Sequence, residues 1–300
     1  NDVPRLLARA MLGYAILTWA GMIVFGRDAW LERAEAFSVA FGVLGRFAPL
    51  APADGARLVL RPYGAGLLDG DVASASFTMF VLTMLSTVTF DGFLETPLFQ
   101  DLLNWVYTNP RVGNLVYEIS EYGISDTTLV KTVALGAFPL GFLAAYLLTS
   151  WAMLRVTDRW ARDWAPGAPR TVRAVAGAFV LTLVPIAVAY HLAHYFSLLL
   201  TAGQFVIPLA SDPFGFGWNL FGTADYQVDI GILSPKFFWY AATSAIVIGH
   251  VIAVYIAHVV ALRRFGSRMA ALASQVPMVA LMVGYTMVSL WILAQPIVGR

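Results

Sequence analysis

The stretch Phe237-Phe-Trp-Tyr-Ala-Ala-Thr-Ser-Ala-Ile-Val-Ile-Gly-His-Val-Ile-Ala-Val-Tyr-Ile-Ala-His-Val-Val-Ala-Leu262 contains no Asp, Glu, Lys or Arg. At a rise of ~1.5 Å per residue it exceeds the ~30 Å hydrocarbon core of a bilayer, and an uncharged run of that length reads as a transmembrane helix. Four further stretches are equally free of charge: Val72–Phe90, Thr132–Leu154, Ala174–Thr201 and Val276–Val298. Ala10–Gly26 is somewhat shorter and reads the same way. A seventh segment, Ala36–Leu50, is short and carries Arg46, so a short span, a re-entrant piece and an interfacial helix all fit it. The expected fold is all-α: a polytopic transmembrane helical bundle of six to seven spans, forming a single domain over residues 1–300.

Composition agrees. Of the 300 residues, 59% are hydrophobic and 12% charged, against about 25% charged in soluble domains. A chain so poor in charge cannot cover a surface facing water on all sides, whereas one bathed in lipid needs polar cover only at its two ends. A formal net charge of +1 leaves no basic field to recruit nucleic acid. With no cysteine, disulfides, thiolate metal sites and cysteine nucleophiles are all ruled out. The chain begins with Asn1 and is expected to lack N-terminal helices of a longer protein.

The connecting segments divide by charge. Arg155, Arg159, Arg162, Arg170 and Arg173 lie in one, and Arg263, Arg264 and Arg268 in another. The positive-inside rule places both in the cytoplasm. The opposite connections are acidic: Asp91, Glu95, Asp101, Glu118, Glu121 and Asp126 in one, and Asp212, Asp225 and Asp229 in the other. Arg57-Leu-Val-Leu-Arg61 before Pro62-Tyr-Gly64 reads as a small hairpin or turn. Leu102–Tyr107 reads as an interfacial helix ended by Asn109-Pro110. Asp212–Leu233, rich in Gly and aromatics, is expected to cap the outer face or act as a lid, with Trp218 and Phe221 mostly buried.

All four histidines, His191, His194, His250 and His258, fall in two of the uncharged stretches. Ionisable groups inside a membrane are costly and face the bundle interior. With Ala174–Thr201 running outward, His191 and His194 lie roughly 15 and 10 Å below its outer end. With the next span running inward, His250 and His258 lie roughly 20 and 30 Å deep. His191, His194 and His250 are therefore expected to converge in the outer half of the membrane, with Asp91 completing a zinc, copper or iron site. Alternatively His191 and His250 ligate a haem from opposite sides. The same rings also fit a proton relay, or plain bonding to carbonyls and to Tyr190, Tyr195 or Tyr255. Pro185 is expected to kink its helix, and Gly249 to admit a neighbouring helix closely.

Gly26-Arg-Asp-Ala-Trp30, Glu35-Ala-Phe through Gly45-Arg-Phe-Ala-Pro49, Thr87-Val-Thr-Phe-Asp-Gly-Phe93, His191–Leu200 and Trp218-Asn-Leu-Phe-Gly-Thr-Ala-Asp225 resemble a family of bacterial multi-pass membrane proteins labelled fenitrothion hydrolase. The resemblance covers most of the chain. It implies hydrolysis of an organophosphate ester in a bacterial inner membrane and assigns no catalytic residue. Three functions therefore stand as expectations. One is a membrane protein with a histidine-lined metal or haem site in the outer half of the bilayer, as a metal-dependent hydrolase would have. The others are a proton-coupled transporter or channel, and a structural or assembly subunit with membrane-protein partners. The lipid bilayer is the one partner common to all three.

The charge pattern is testable without the fold. Single cysteines at Ala168 and Ser267 should escape an impermeant thiol reagent in intact cells and react after lysis. Labelling of both in intact cells reverses the orientation.

Overall fold

A computed structural model describes residues 4–53, 57–70, 72–160 and 167–295. Arg162 and the end of the Val276–Val298 stretch lie outside the described residues. The chain forms two compact units, Asn1–Gly66 and Leu67–Arg300, where the sequence reading has one domain.

In the first unit the helices are α1 (Pro4–Phe25), α2 (Arg27–Arg33) and α3 (Ala36–Gly45). Strands β1 (Leu50–Ala53) and β2 (Arg57–Leu60) follow as an antiparallel hairpin pairing Leu50 with Leu60. The expected turn at Arg57–Arg61 is thus one arm of that hairpin. Among the described residues no seventh helix reaches spanning length. α3 has ten residues, only ~15 Å of helix, and the strand claims Leu50. Glu35 organises the unit: its carboxylate caps α3 by accepting the Phe37 and Ser38 N–H groups and also receives the Tyr14 hydroxyl from α1. The Arg61 guanidinium donates to the carbonyls of Ala48, Gly45 and Arg46, fixing the start of the hairpin against the end of α3.

The second unit holds α4 (Ala75–Leu94), α5 (Pro97–Thr108), α6 (Pro110–Ser120) and α7 (Asp126–Trp160). There follow α8 (Val172–Phe179), α9 (Val184–Ala202), α10 (Val206–Ser211), α11 (Pro235–Arg264) and α12 (Arg268–Leu293). Among the described residues of the whole chain, six helical segments are long and apolar enough to cross a membrane, and the chain is read as a multi-pass membrane protein. One of the six, Val172–Ser211, is composite. Around Pro185, which lacks an N–H to continue the α-helical ladder, Val180–Leu183 tightens into a 3-10 turn. This span is the centre of the bundle: 72% of its apolar window is buried, against 17% for α7.

α9 and α11 approach closely in the core. A Cβ placed on Gly249 would lie 2.4 Å from the Ala189 Cβ and 2.8 Å from the Pro185 carbonyl oxygen, so only a hydrogen fits there. At the inner end, Arg263 and Arg264 donate to the carbonyls of Leu68 and Gly70. Basic residues closing the last turn of α11 also complement its dipole.

The acidic connection after α4 is not a loose loop. α5 and α6 are amphipathic helices, each begun by a cap (Thr96 and Asn109) and a proline at the first turn. They bury Phe99, Leu103, Val106 and Val116 against Val130 of α7. The interfacial helix read at Leu102–Tyr107 is the second half of α5.

Gly249→Leu should force α9 and α11 apart and destabilise the detergent-purified protein by about 1–3 kcal/mol, as overpacking does. Gly136→Ala is the control, because its added Cβ meets nothing within 4 Å and alanine is the better helix former by up to ~1 kcal/mol. Thermal unfolding of the two variants should move in opposite directions, and equal shifts would overturn the contact as the determinant.

Candidate functional site

Asp91, near the outer end of α4, and His194, on α9, meet across the bundle. The His194 Nε2–H donates to the Asp91 carboxylate at 2.7 Å. Their side chains are 53% and 27% exposed, so the pair is reachable from outside rather than sealed. A charge-assisted bond between two helices fixes the ring orientation and leaves Nδ1 as the acceptor of the neutral imidazole. The Tyr195 ring stands edge-on to His194, with centroids 4.7 Å apart.

His194 forms part of the wall of an outer cavity of about 700 Å³, within the 300–1,000 Å³ usual for small-molecule sites. Glu95, Tyr190, Ser197, Thr201, Ser289 and Gln295 supply its other polar groups, and Ile230, Ile232 and Leu233 of the outer connection close one side. Gly92 makes this geometry possible. Any Cβ there would come within 2.8 Å of Ile292 Cγ2 and 3.3 Å of the Tyr190 hydroxyl.

Deeper in the bundle the polar contacts continue. The Thr89 hydroxyl donates to the Leu85 carbonyl, so the hydrogen bond it shares with Tyr285 is donated by the tyrosine. The Tyr285 ring lies 6.3 Å from Tyr190 and 5.9 Å from His250, centroid to centroid. His250 is buried, and its Nδ1–H donates to the Ile246 carbonyl at 2.8 Å. A carbonyl only accepts, so this bond sets the tautomer and makes Nε2 the bare acceptor. That nitrogen is buried with no partner among the described residues. Toward the C-terminal end of α11, His258 Nδ1–H donates to Gln275 Oε1 at 2.8 Å.

The expected metal centre does not assemble. Among the described residues no three His, Asp or Glu side chains are placed to hold one ion. Of His191, His194, His250 and Asp91, only His194 and Asp91 meet. The reason lies in the orientation of each ring. His191 turns back along its own helix and donates from Nδ1 to the Ala187 carbonyl at 2.7 Å. His194 reaches α4, and His250 faces Tyr285 on α12. Neighbouring depths along two helices do not by themselves bring rings to one point. The haem arrangement of His191 and His250 meets a second obstacle, since α9 and α11 touch at Ala189 and Gly249 and leave no slot for a porphyrin there.

The outer connection also differs from expectation. Its C-terminal residues wall the cavity as a lid would, but Trp218 and Phe221 are 42% and 69% exposed. Polar bonds fold the segment on itself. Asp212 accepts the Phe216 and Gly217 N–H groups, Ser211 accepts from Phe221, and Gln204 clamps the backbone of Asp229 from both sides. Desolvation raises the Asp212 pKa, but the N–H groups of Gly217, Phe216, Gly215 and Trp218 together outweigh it and hold the carboxyl below its usual value. Phe214 and Phe216 are left stacked at the surface with Trp218 edge-on to both, the kind of aromatic group that seats in a membrane interface.

Sequence reasoning missed Tyr285 and Thr89. Each is one of several hydroxyls in an uncharged span, so nothing in the sequence set it apart from its neighbours. No family model, characterised protein or solved structure matches the chain.

Thr89→Val and Tyr285→Phe each remove one partner of the α4–α12 bond without emptying its space. Their double-mutant cycle should give a coupling of about 0.6–1.7 kcal/mol, the span measured for hydrogen bonds between membrane helices. A coupling indistinguishable from zero means the two hydroxyls do not bond.

Proposed function

We propose that this chain is a proton-coupled transporter or channel of a bacterial inner membrane, with Asp91 and His194 as the outer proton-exchanging pair. The observation that carries the reading is the Asp91–His194 bond beside the outer cavity. An imidazole is the side chain whose charge changes near neutral pH, and a carboxylate partner makes it a better proton acceptor. Intramembrane ionisable groups mark ion pathways, and here they follow one another inward. Tyr190 and Tyr285 lead from the cavity to His250, whose bare Nε2 can receive a proton. His258 stands eight residues further along α11, ~12 Å deeper, oriented by Gln275. The spacing of the rings calls for water molecules between them, as proton chains commonly use.

A second reading draws on the cavity itself and on the resemblance to proteins labelled fenitrothion hydrolase. The same pair would act as a general base, with His194 taking a proton from water that attacks an organophosphate ester, and Asp91 holding the ring. It needs no metal.

Proteoliposomes loaded with a pH-sensitive dye and given an imposed pH gradient separate the two. Wild-type protein should dissipate the gradient, and Asp91→Asn or His194→Ala should slow this by at least ~100-fold, the lower end of what a positioned acid–base group contributes. Wild-type vesicles as tight as empty ones, together with nitrophenolate release from a nitrophenyl phosphotriester, would replace transport by hydrolysis.

A further inference from the structure

A second void lies on the other side of α4 and α12 from the outer cavity. Gly92 and Ser289 face the cavity, while the neighbouring residues Phe93 and Val288 face this cleft. It measures about 1030 Å³ and is lined by α4, α5, α6, α7 and α12. Its lining is apolar throughout except for two tyrosines, and both have their hydroxyls engaged elsewhere. Tyr146 donates to the Ala176 carbonyl at 2.7 Å, and Tyr285 bonds Thr89. No side chain in the wall offers a hydrogen bond to water or to a polar ligand. Apolar cavities stay dry, and a void of this size, if empty, would forfeit dispersion contacts along its whole lining.

We propose that the cleft is a binding site for one acyl chain of a bilayer lipid. Three features select that occupant over other apolar molecules. The first is shape. The lining follows α7 from Leu129 to Tyr146, roughly 25 Å of helix, longer than the ~15 Å of one hydrocarbon leaflet, so an extended chain fits lengthwise. The second is access. α7 is the span with little of its apolar window buried, and Val133, Ala137 and Gly141 on its cleft side are exposed, so the cleft opens sideways into hydrocarbon. The third is its roof. α5 and α6 lie over the outer end with Leu102, Val106 and Val116 turned into the cleft, while the acidic side chains of these helices, Asp101, Glu118 and Glu121, are exposed. Amphipathic helices of that kind sit at the level where a lipid headgroup emerges. This inference does not rest on the proton reading and shares no residue with the Asp91–His194 pair, although Tyr285 stands both in the cleft wall and beside Tyr190 and His250.

Two glycines keep the cleft open. Added Cβ atoms on Gly141 and Gly284 meet nothing within 4 Å, so leucine at both positions fills space without striking backbone. The test uses nanodiscs of phosphatidylcholine carrying a photoactivatable diazirine midway along one acyl chain, with crosslinks mapped by mass spectrometry. In the wild type, crosslinks should appear on Leu85 and Phe138 of the cleft wall; Leu85 is 4% exposed and closed to lipid that merely surrounds the bundle. They should be lost in the Gly141→Leu, Gly284→Leu variant, while crosslinks to α1 persist as the internal control. Crosslinks confined to outward faces such as Leu140 and Leu148 overturn the proposal, as do cleft crosslinks that survive both leucines. Should the variant fail to insert, the wild-type map decides alone.

Discussion

The contact between Gly249 and the Pro185–Ala189 turn is what the rest of the bundle is arranged around. Membrane helices have no water to drive them together, so their association depends on how closely backbones approach. Here the missing side chain of Gly249 lets α11 rest on α9, and Pro185 supplies the bend that brings α9 across it. The adjoining residues inherit their positions from that contact. His250, next in sequence to Gly249, is carried into the interior beside Tyr285. His194, further out on α9, is carried toward α4 and Asp91. A different crossing of these two helices would turn His194 away from the carboxylate.

How far this was readable from the residues follows from which signals are one-dimensional. Charge-free length survives without coordinates, so the six candidate spans stood out in the sequence, as did the close approach at Gly249. Depth along a helix can be estimated too, and it put His191, His194 and His250 within roughly 10 Å of one another. Azimuth does not survive, because it depends on how each helix is rotated against its neighbours. A rotamer choice then sends His191 to the Ala187 carbonyl and His194 to Asp91, though they sit on adjoining parts of one face. Ala36–Leu50 misled for another reason. Its apolar residues serve two elements, a ten-residue helix and a strand, and hydropathy does not mark the break between them.

The outer connection shows the same limit from the opposite side. Its aromatics suggested burial, as they would in a soluble loop. The polar residues decided otherwise: Asp212, Asn219 and Gln204 satisfy the backbone from within the segment, so it needs no aromatic core. In a membrane protein the surroundings of an outer loop include headgroups, which accept tryptophan and phenylalanine. A self-bonded turn presenting three clustered rings and a wall of Ile230, Ile232 and Leu233 over the cavity is then consistent in one structure.

The outer cavity and the acyl-chain cleft differ in chemistry because α4 and α12 divide them. One side of that partition carries Glu95, Ser289 and access to His194; the other carries Leu82, Leu85, Phe93 and Val288. Across the partition runs one polar bond, between Thr89 and Tyr285. Tyr285 belongs to both environments, since its ring forms cleft wall and stands near Tyr190 and His250. A bond in hydrocarbon has no water to replace it when it breaks, so leaving it unmade costs more here than it would in water. Whatever fills the cleft therefore bears directly on a ring that also borders the polar side of the partition.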